Sequence, residues 1–91
     1  MSTRQKQACA IIHLDFPSEN YAKIIYEALK PETKMSPTPR AEVRLQRNAK
    51  NLVLTFKACD AAALRASINS ILRFTNSIVQ ILNVVKKLHA Q

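Results

Sequence analysis

The last third of this sequence constrains the fold more than any other part, because it runs from Asp60 to about Leu88 without a proline. No glycine occurs anywhere in the chain. Asp60 is a good N-cap residue, so we expect one uninterrupted helix after it. At the rise of an α-helix, this segment would be about 43 Å long. It is therefore longer than a three-stranded sheet can cover.

Apolar residues and one threonine recur along this predicted helix at alternating spacings of three and four, which indicates a helix that buries one face. They are Leu64, Ile68, Ile71, Thr75, Ile78, Leu82 and Val85. A second stripe contains Leu72, Phe74, Val79, Ile81 and Leu88. The core of one small domain cannot bury this much surface, so we expect part of the helix to pack against a partner.

The first part of the chain predicts a strand followed by a helix. Residues 8–16 alternate, and one face of the strand carries Ala10, Ile12, Leu14 and Phe16. Pro17 stops the strand, and Ser18 caps a helix that we expect to run to about Lys30. Prolines at positions 31, 37 and 39 predict a loop over residues 31–40.

Residues 41–47 and 52–59 also alternate, which predicts a β-hairpin. Its connection contains Asn48 and Asn51, two residues that tolerate a positive φ where glycine is absent. The predicted buried face consists of Val43, Leu45, Leu52, Leu54, Phe56 and Ala58. The fold class is therefore α+β, a three-stranded antiparallel sheet with two helices packed on one face, in the order strand-helix-strand-strand-helix.

Length and composition limit the possible functions. The 91 residues predict one domain over residues 8–89 after a flexible basic tail at 1–7. The net charge of +8 would attract polyanions, although a solvated basic surface is an alternative. Phosphate-binding loops need glycine for left-handed turns and for close approach of the backbone to phosphate, so the absence of glycine argues against a nucleotide-binding enzyme. No apolar stretch is long enough to span a membrane, so we expect a soluble protein in the cytoplasm, and also in the nucleus of a eukaryote.

The sequence predicts no catalytic residues, no cofactor and no metal ion. His13 and Asp15 share a strand face, but the other histidine, His89, lies at the end of the last helix. Cys9 and Cys59 lack the spacing of a metal site, and we expect both to be buried thiols. An enzyme whose site forms between protomers would have only His13 and Asp15 as candidates.

Five basic residues lie on the hairpin and its approach: Arg40, Arg44, Arg47, Lys50 and Lys57. Such a group can meet a phosphate backbone, so we expect nucleic-acid binding there. The alternative is that exposed arginine and lysine residues protect the sheet edges from pairing with other chains. The hairpin lacks an exposed aromatic platform, so we expect contacts to backbone and shape rather than to sequence.

Several segments resemble a known family. They are the run Asn51-Leu52-Val53-Leu54 with Phe56, Ala58 and Asp60, then Ala63-Leu64-Arg65-Ala66, Asn69-Ser70-x-Leu72-Arg73 and, in the first helix, Ile25-Tyr26-x-Ala28-Leu29-x-Pro31-Glu32. Over roughly residues 10 to 88, the chain resembles the small dimerising subunit of the KEOPS complex, a family that includes the cancer/testis-antigen-related proteins.

The resemblance implies a non-catalytic subunit that pairs with itself or with a small accessory subunit and whose helices pack on the catalytic subunit. That complex places a threonylcarbamoyl group on the adenosine beside the tRNA anticodon. The partner interface would then include Leu64, Arg65, Ile68, Asn69, Leu72 and Arg73, and the subunit would support tRNA binding. The alternative function is a free-standing basic dimer that binds nucleic acid by itself.

Overall fold

Residues 7–34 and 40–89 are described in a computed structural model of the chain. Its elements are β1 (Ala8–Asp15), α1 (Glu19–Lys34), β2 (Ala41–Asn48), β3 (Asn51–Ala58) and α2 (Ala61–His89). The strands form one antiparallel sheet in the order β1-β3-β2. The predicted α+β fold is confirmed. The predicted tail, except Gln7, and Pro37 and Pro39 of the predicted loop lie outside the described residues.

The sheet has one buried and one exposed face, as the alternating sequence predicts. On the central strand β3, Leu52, Leu54 and Phe56 are fully buried beneath the helices. On β1 the same face is only half-buried, and on β2 it changes from buried Val43 to half-buried Leu45. Because β1 and β2 are edge strands, fewer neighbours cover them, and the core centres on β3 and its contacts with Ile25, Leu29 and Ile71.

Both predicted caps form. The backbone N–H of Tyr21 donates to Ser18 Oγ at 3.1 Å, and Phe16 stacks on Tyr21 with ring centroids 5.5 Å apart. The backbone N–H of Ala63 donates to Asp60 Oδ1 at 2.8 Å. Asp60 also pairs with Arg40, which precedes β2. The cap of α2 is therefore joined to the start of the hairpin.

The predicted end of the first helix is wrong by one turn. Helix α1 continues through Pro31 to Lys34. The fixed φ of proline is compatible with an α-helix, so the helix continues for one more turn at Pro31. Proline has no N–H, so the hydrogen bond that this N–H would donate to the preceding turn is missing. Thr33 Oγ1 donates to the Lys30 carbonyl at 2.9 Å and satisfies one acceptor in this last turn.

The hairpin turn also differs from the prediction. Asn48 and Asn51 are the last and first paired strand residues, and the two-residue turn is Ala49-Lys50. Ala49, not asparagine, has the positive φ, of 56°. A positive φ at the first central residue suits a tight hairpin, but the Cβ of alanine makes it costly, by about 1 to 2 kcal/mol.

Helix α2 extends past the sheet. It begins beside Ala58, where β3 ends, and runs back towards the hairpin turn. Its 29 residues span about 43 Å, whereas the eight residues of each strand span about 26 Å. Its first half packs on the sheet through Ala63, Ser67 and Ile71. Its second half extends past the sheet and packs in part on α1.

Candidate functional site

An exposed apolar surface lies where α2 extends past the sheet. On α2 it includes Ile81 at 63% exposure, Val84 at 57% and Val85 at 43%. Ile24 of α1 is also exposed, and a groove between the two helices is lined by Tyr21, Ile24, Leu82 and Val85, among others. We call Ile24, Ile81, Val84 and Val85 the helical patch. A continuous apolar surface of this kind is typical of a docking site for another protein.

The six predicted partner residues do not share one surface. Leu64 and Ile68 are half-buried and pack against this chain's own core. The others, Arg65, Asn69, Leu72 and Arg73, are exposed on the side of α2 that faces away from the sheet. The exposed part of the predicted segment is therefore mainly polar, with Leu72 as its one apolar side chain.

The sequence prediction placed neither Ile24 nor Val84 in an interface. The sequence nevertheless contains a signal for the helical patch. A helix about 43 Å long must extend past a sheet whose strands are about 26 Å long. Ile81, Val84 and Val85 lie beyond that length and are exposed, whereas Val79 and Leu82 pack in part against the core. Counting from the N-cap at Asp60, this region begins near Val79.

The five predicted nucleic-acid residues are spread over the sheet. Arg44 and Lys57 lie on its exposed face with Glu42 between them, and Arg44 Nε is 3.3 Å from a Glu42 carboxylate oxygen. Arg47 and Lys50 lie at the hairpin end, and Arg40 is at the opposite end, paired with Asp60. The structure brings these residues together only as pairs, not as one continuous patch.

At the hairpin end, Arg47 lies close to the start of α1. A shallow depression there is lined by Glu19, Asn20, Lys23 and Arg47. Arg47 also donates to the Ala49 carbonyl at 3.0 Å, which fixes the direction of its guanidinium group. Lys23 and Arg47 share this depression with Glu19, and together with Lys50 of the turn they form a small basic cluster at the hairpin end of the sheet.

The two sheet edges differ in charge. Strand β2 carries Glu42, Arg44 and Arg47, which discourage pairing with another strand. Strand β1 carries Asp15 as its one carboxylate and has isoleucine at positions 11 and 12. Neither of these edges pairs with another strand among the residues described. The β1 edge is therefore the better template for an added strand.

His13 and Asp15 are linked by a hydrogen-bonded chain on the exposed face. His13 Nδ1 lies 3.4 Å from Asn51 Oδ1, and Asn51 Nδ2 donates to Asp15 Oδ1 at 2.9 Å. Both His13 and Asp15 are exposed. Because Asn51 occupies the space between them, the carboxylate does not orient the imidazole directly. The three side chains thus link β1 to β3 at the exposed face, an arrangement that needs no catalytic role.

The prediction that both cysteines are buried is wrong. Cys9 and Cys59 are exposed. Cys9 lies on the outer face of β1, and Cys59 follows β3 beyond the covered part of the sheet. Within residues 7–34 and 40–89, no three His, Cys, Asp or Glu side chains come together as ligands for a metal ion. In the same ranges, neither helix has the length and apolarity needed to cross a membrane.

Comparisons with known proteins agree on one family. Residues 9–83 match the family model described as transcription factor Pcc1. The chain is 31% identical over 81 residues to the KEOPS complex subunit Pcc1 of Pyrococcus abyssi (strain GE5 / Orsay), with 89% of this chain and 99% of that protein covered. A crystal structure of the binary complex Gon7-Pcc1 contains a chain similar in fold, with a TM-score of 0.76 and 22% identity. The similarity covers 86% of this chain and 95% of that one.

Proposed function

This chain belongs to the Pcc1 family, and from that membership we propose that it is a non-catalytic subunit of a KEOPS complex. In this proposal it dimerises, binds the catalytic subunit through its helices and supports tRNA binding in the cytoplasm. The reaction is threonylcarbamoylation of the adenosine beside the anticodon. The observation that carries the proposal is the 31% identity to a KEOPS subunit over 99% of that protein's length.

We assign dimerisation to the open edge of β1. Strand addition there would satisfy the unpaired backbone groups of residues 8–15 and would extend the sheet. The charged residues of β2 disfavour the other edge. The added strand can come from a second copy of this chain or from a small accessory subunit with a free strand, since both present the same backbone hydrogen-bonding groups.

We assign the catalytic subunit to the helical patch. A partner helix placed along the groove between α1 and α2 would cover Ile24, Ile81, Val84 and Val85 and remove their apolar surface from water. The patch lies on the helical layer, whereas the β1 edge belongs to the sheet. One protomer can therefore bind both partners at the same time.

We assign tRNA support to the basic cluster at the hairpin end, Lys23, Arg47 and Lys50. Glu42 partly neutralises Arg44, and Asp60 does the same for Arg40, so those two arginines offer less charge to a phosphate. Contacts of this kind are made to the RNA backbone and weaken steeply with salt. They would add affinity without selecting a sequence.

Light scattering of the purified chain, alone and mixed with a KEOPS catalytic subunit, tests the assembly role because it measures mass without assuming a mechanism. We expect twice the monomer mass for the chain alone and a larger complex after mixing. A chain that stays unchanged when the catalytic subunit is added would contradict the proposal.

A free-standing basic dimer that binds nucleic acid is the second candidate function. The net charge of +8 favours it. The two functions differ in what happens without other proteins. A dimer that ignores the catalytic subunit but shifts RNA by itself at physiological salt would support the second candidate.

A further inference from the structure

The side of α2 that faces away from the sheet carries guanidinium and amide groups and no carboxylate. We call this row the amide ridge. Its members are Arg65, Asn69, Arg73, Asn76, Gln80 and Asn83, and all six are exposed. No Asp or Glu occurs anywhere in α2. The ridge is therefore a surface of hydrogen-bond donors and acceptors with positive charge.

The spacing of these residues makes the ridge continuous. Successive members are separated by three or four positions, so they lie on one side of an α-helix. The ridge spans about 27 Å from Arg65 to Asn83. The opposite side of the helix carries Ser67, Ile71 and Thr75, which are buried against the rest of the domain. The fold therefore orients the ridge outward along most of the length of α2.

The ridge side chains have no internal hydrogen bonds or ion pairs within the described part of the chain. The six carboxylate side chains of the sequence, the last of which is Asp60, all precede α2. Glu42 and Asp60 already pair with arginines of the sheet. Arg65 and Arg73 are thus exposed cations that no carboxylate of α2 neutralises.

Three of the ridge positions are asparagine, at Asn69, Asn76 and Asn83. Asparagine is a poor helix former, and solvated helix surfaces are better served by Glu, Lys or Gln. The repeat at every seventh residue keeps all three side chains on one side. These asparagines therefore place amide groups on the outward side of α2 without adding to the stability of the helix.

We propose that the amide ridge is a binding surface for RNA. Arg65 and Arg73 contact phosphates, and the amide side chains exchange hydrogen bonds with 2′-hydroxyl groups and base edges. This inference rests on the proposed function, because RNA is the substrate of the complex. It adds a second contact surface to the basic cluster at the hairpin. Helix α2 runs towards the hairpin, so one RNA can reach both.

An RNA partner fits this surface better than a protein partner. Leu72, at 36% exposure, is the one large apolar side chain beside Arg65, Asn69 and Arg73. The buried centre of a protein interface, in contrast, is depleted in charged groups and contains several aromatic and aliphatic anchors. Ile81 and Val84 border the C-terminal end of the ridge, where Gln80 lines a depression together with them. The polar and cationic part of the ridge is therefore the part from Arg65 to Asn76.

Two neighbouring substitutions test the proposal on the full chain, with an in vitro transcribed tRNA as the probe. Asn69→Asp places a carboxylate on the ridge. Ser70→Asp makes the same change in net charge one residue later, about 100° around the helix. We expect Asn69→Asp to weaken binding about fivefold and Ser70→Asp to change it less than about twofold. Circular dichroism checks that both variants fold.

The salt dependence provides a second measurement. Replacing Arg65 and Arg73 together by Gln should lower the slope of log affinity against log salt by roughly one for each arginine. Equal effects of the two aspartate variants together with an unchanged slope would overturn the proposal. The proposal would also be overturned if Asn69→Asp lost capture of the catalytic subunit while RNA binding stayed intact. That result would make the ridge a protein interface.

A further variant distinguishes failure of this inference from failure of the proposed function. Arg47→Gln with Lys50→Gln removes the hairpin cations and leaves the ridge intact. If that variant loses RNA affinity and the ridge variants do not, the ridge proposal fails and the hairpin assignment stands. If the unmodified chain binds no tRNA, both RNA assignments fail, while light scattering still decides the assembly role.

Discussion

At the scale of single residues, two positions join the elements of the fold. Ala49 makes the hairpin turn with a positive φ, and Asp60 both caps α2 and pairs with Arg40. In a chain of 91 residues the total stability is a small difference between large terms. Changes of about 1 kcal/mol at such positions are therefore measurable.

Replacing Ala49 with glycine should raise the free energy of unfolding by about 1 kcal/mol. Glycine adopts a positive φ without a Cβ clash, and this gain exceeds the added entropy of the unfolded chain. Urea denaturation measures the change. Lys50→Gly is the matched control, because φ at Lys50 is not positive, and it should lower stability. A stabilising effect of both variants would contradict this account of the turn.

Replacing Asp60 with alanine should lower the free energy of unfolding by about 1 to 2 kcal/mol, because the N–H of Ala63 loses its cap. Asp60→Asn keeps a good cap and loses the charge that pairs with Arg40. That ion pair is exposed and contributes little, so the asparagine variant should stay within about 1 kcal/mol of the unmodified chain. Equal losses in both variants would show that the ion pair, not the cap, stabilises this junction.

At the scale of elements, α2 has different roles along and around its length. Its first half completes the core, and its second half extends past the sheet and leaves Ile81 and Val84 exposed. Around its circumference it carries the buried side and the amide ridge, and Ile81, Val84 and Val85 lie between the two. One helix thus provides most of the surface that we assign to partners.

The helical patch makes a direct prediction for partner binding. Ile81→Asp should weaken capture of a KEOPS catalytic subunit about tenfold or more, because it places an unpaired charge in an apolar interface. Ile11→Asp is the matched control, since Ile11 on the sheet is 62% exposed and Ile81 is 63% exposed. Titration calorimetry measures both affinities. Equal weakening by the two variants would place the docking site elsewhere.

At the scale of the whole molecule, the domain is small, and within residues 7–34 and 40–89 its sheet has an open edge at β1. If a second copy adds a strand there, folding and association are coupled, and stability depends on protein concentration. A tenfold increase in concentration should raise the midpoint of thermal unfolding by about 3 to 5 °C. Thermal melts across a hundredfold range of concentration would measure this shift. A constant midpoint would indicate a monomer.

Local sequence patterns predict the order of elements, their caps and the face of each strand that is buried. These features depend on local patterns: alternation at Ala8–Asp15, Ser18 before α1 and Asp60 before α2. The sequence also predicts that α2 exceeds the sheet in length, because length follows from the absence of proline and glycine.

Which parts of those patterns are exposed depends on how the elements pack in three dimensions. Leu64 and Ile68 follow the same spacing as Val85, yet the first two meet the core and Val85 lies past the sheet. The basic residues of the hairpin are near one another in sequence but point to different faces and ends of the sheet. Exposure depends on which distant segment covers a residue, and no local pattern contains that information.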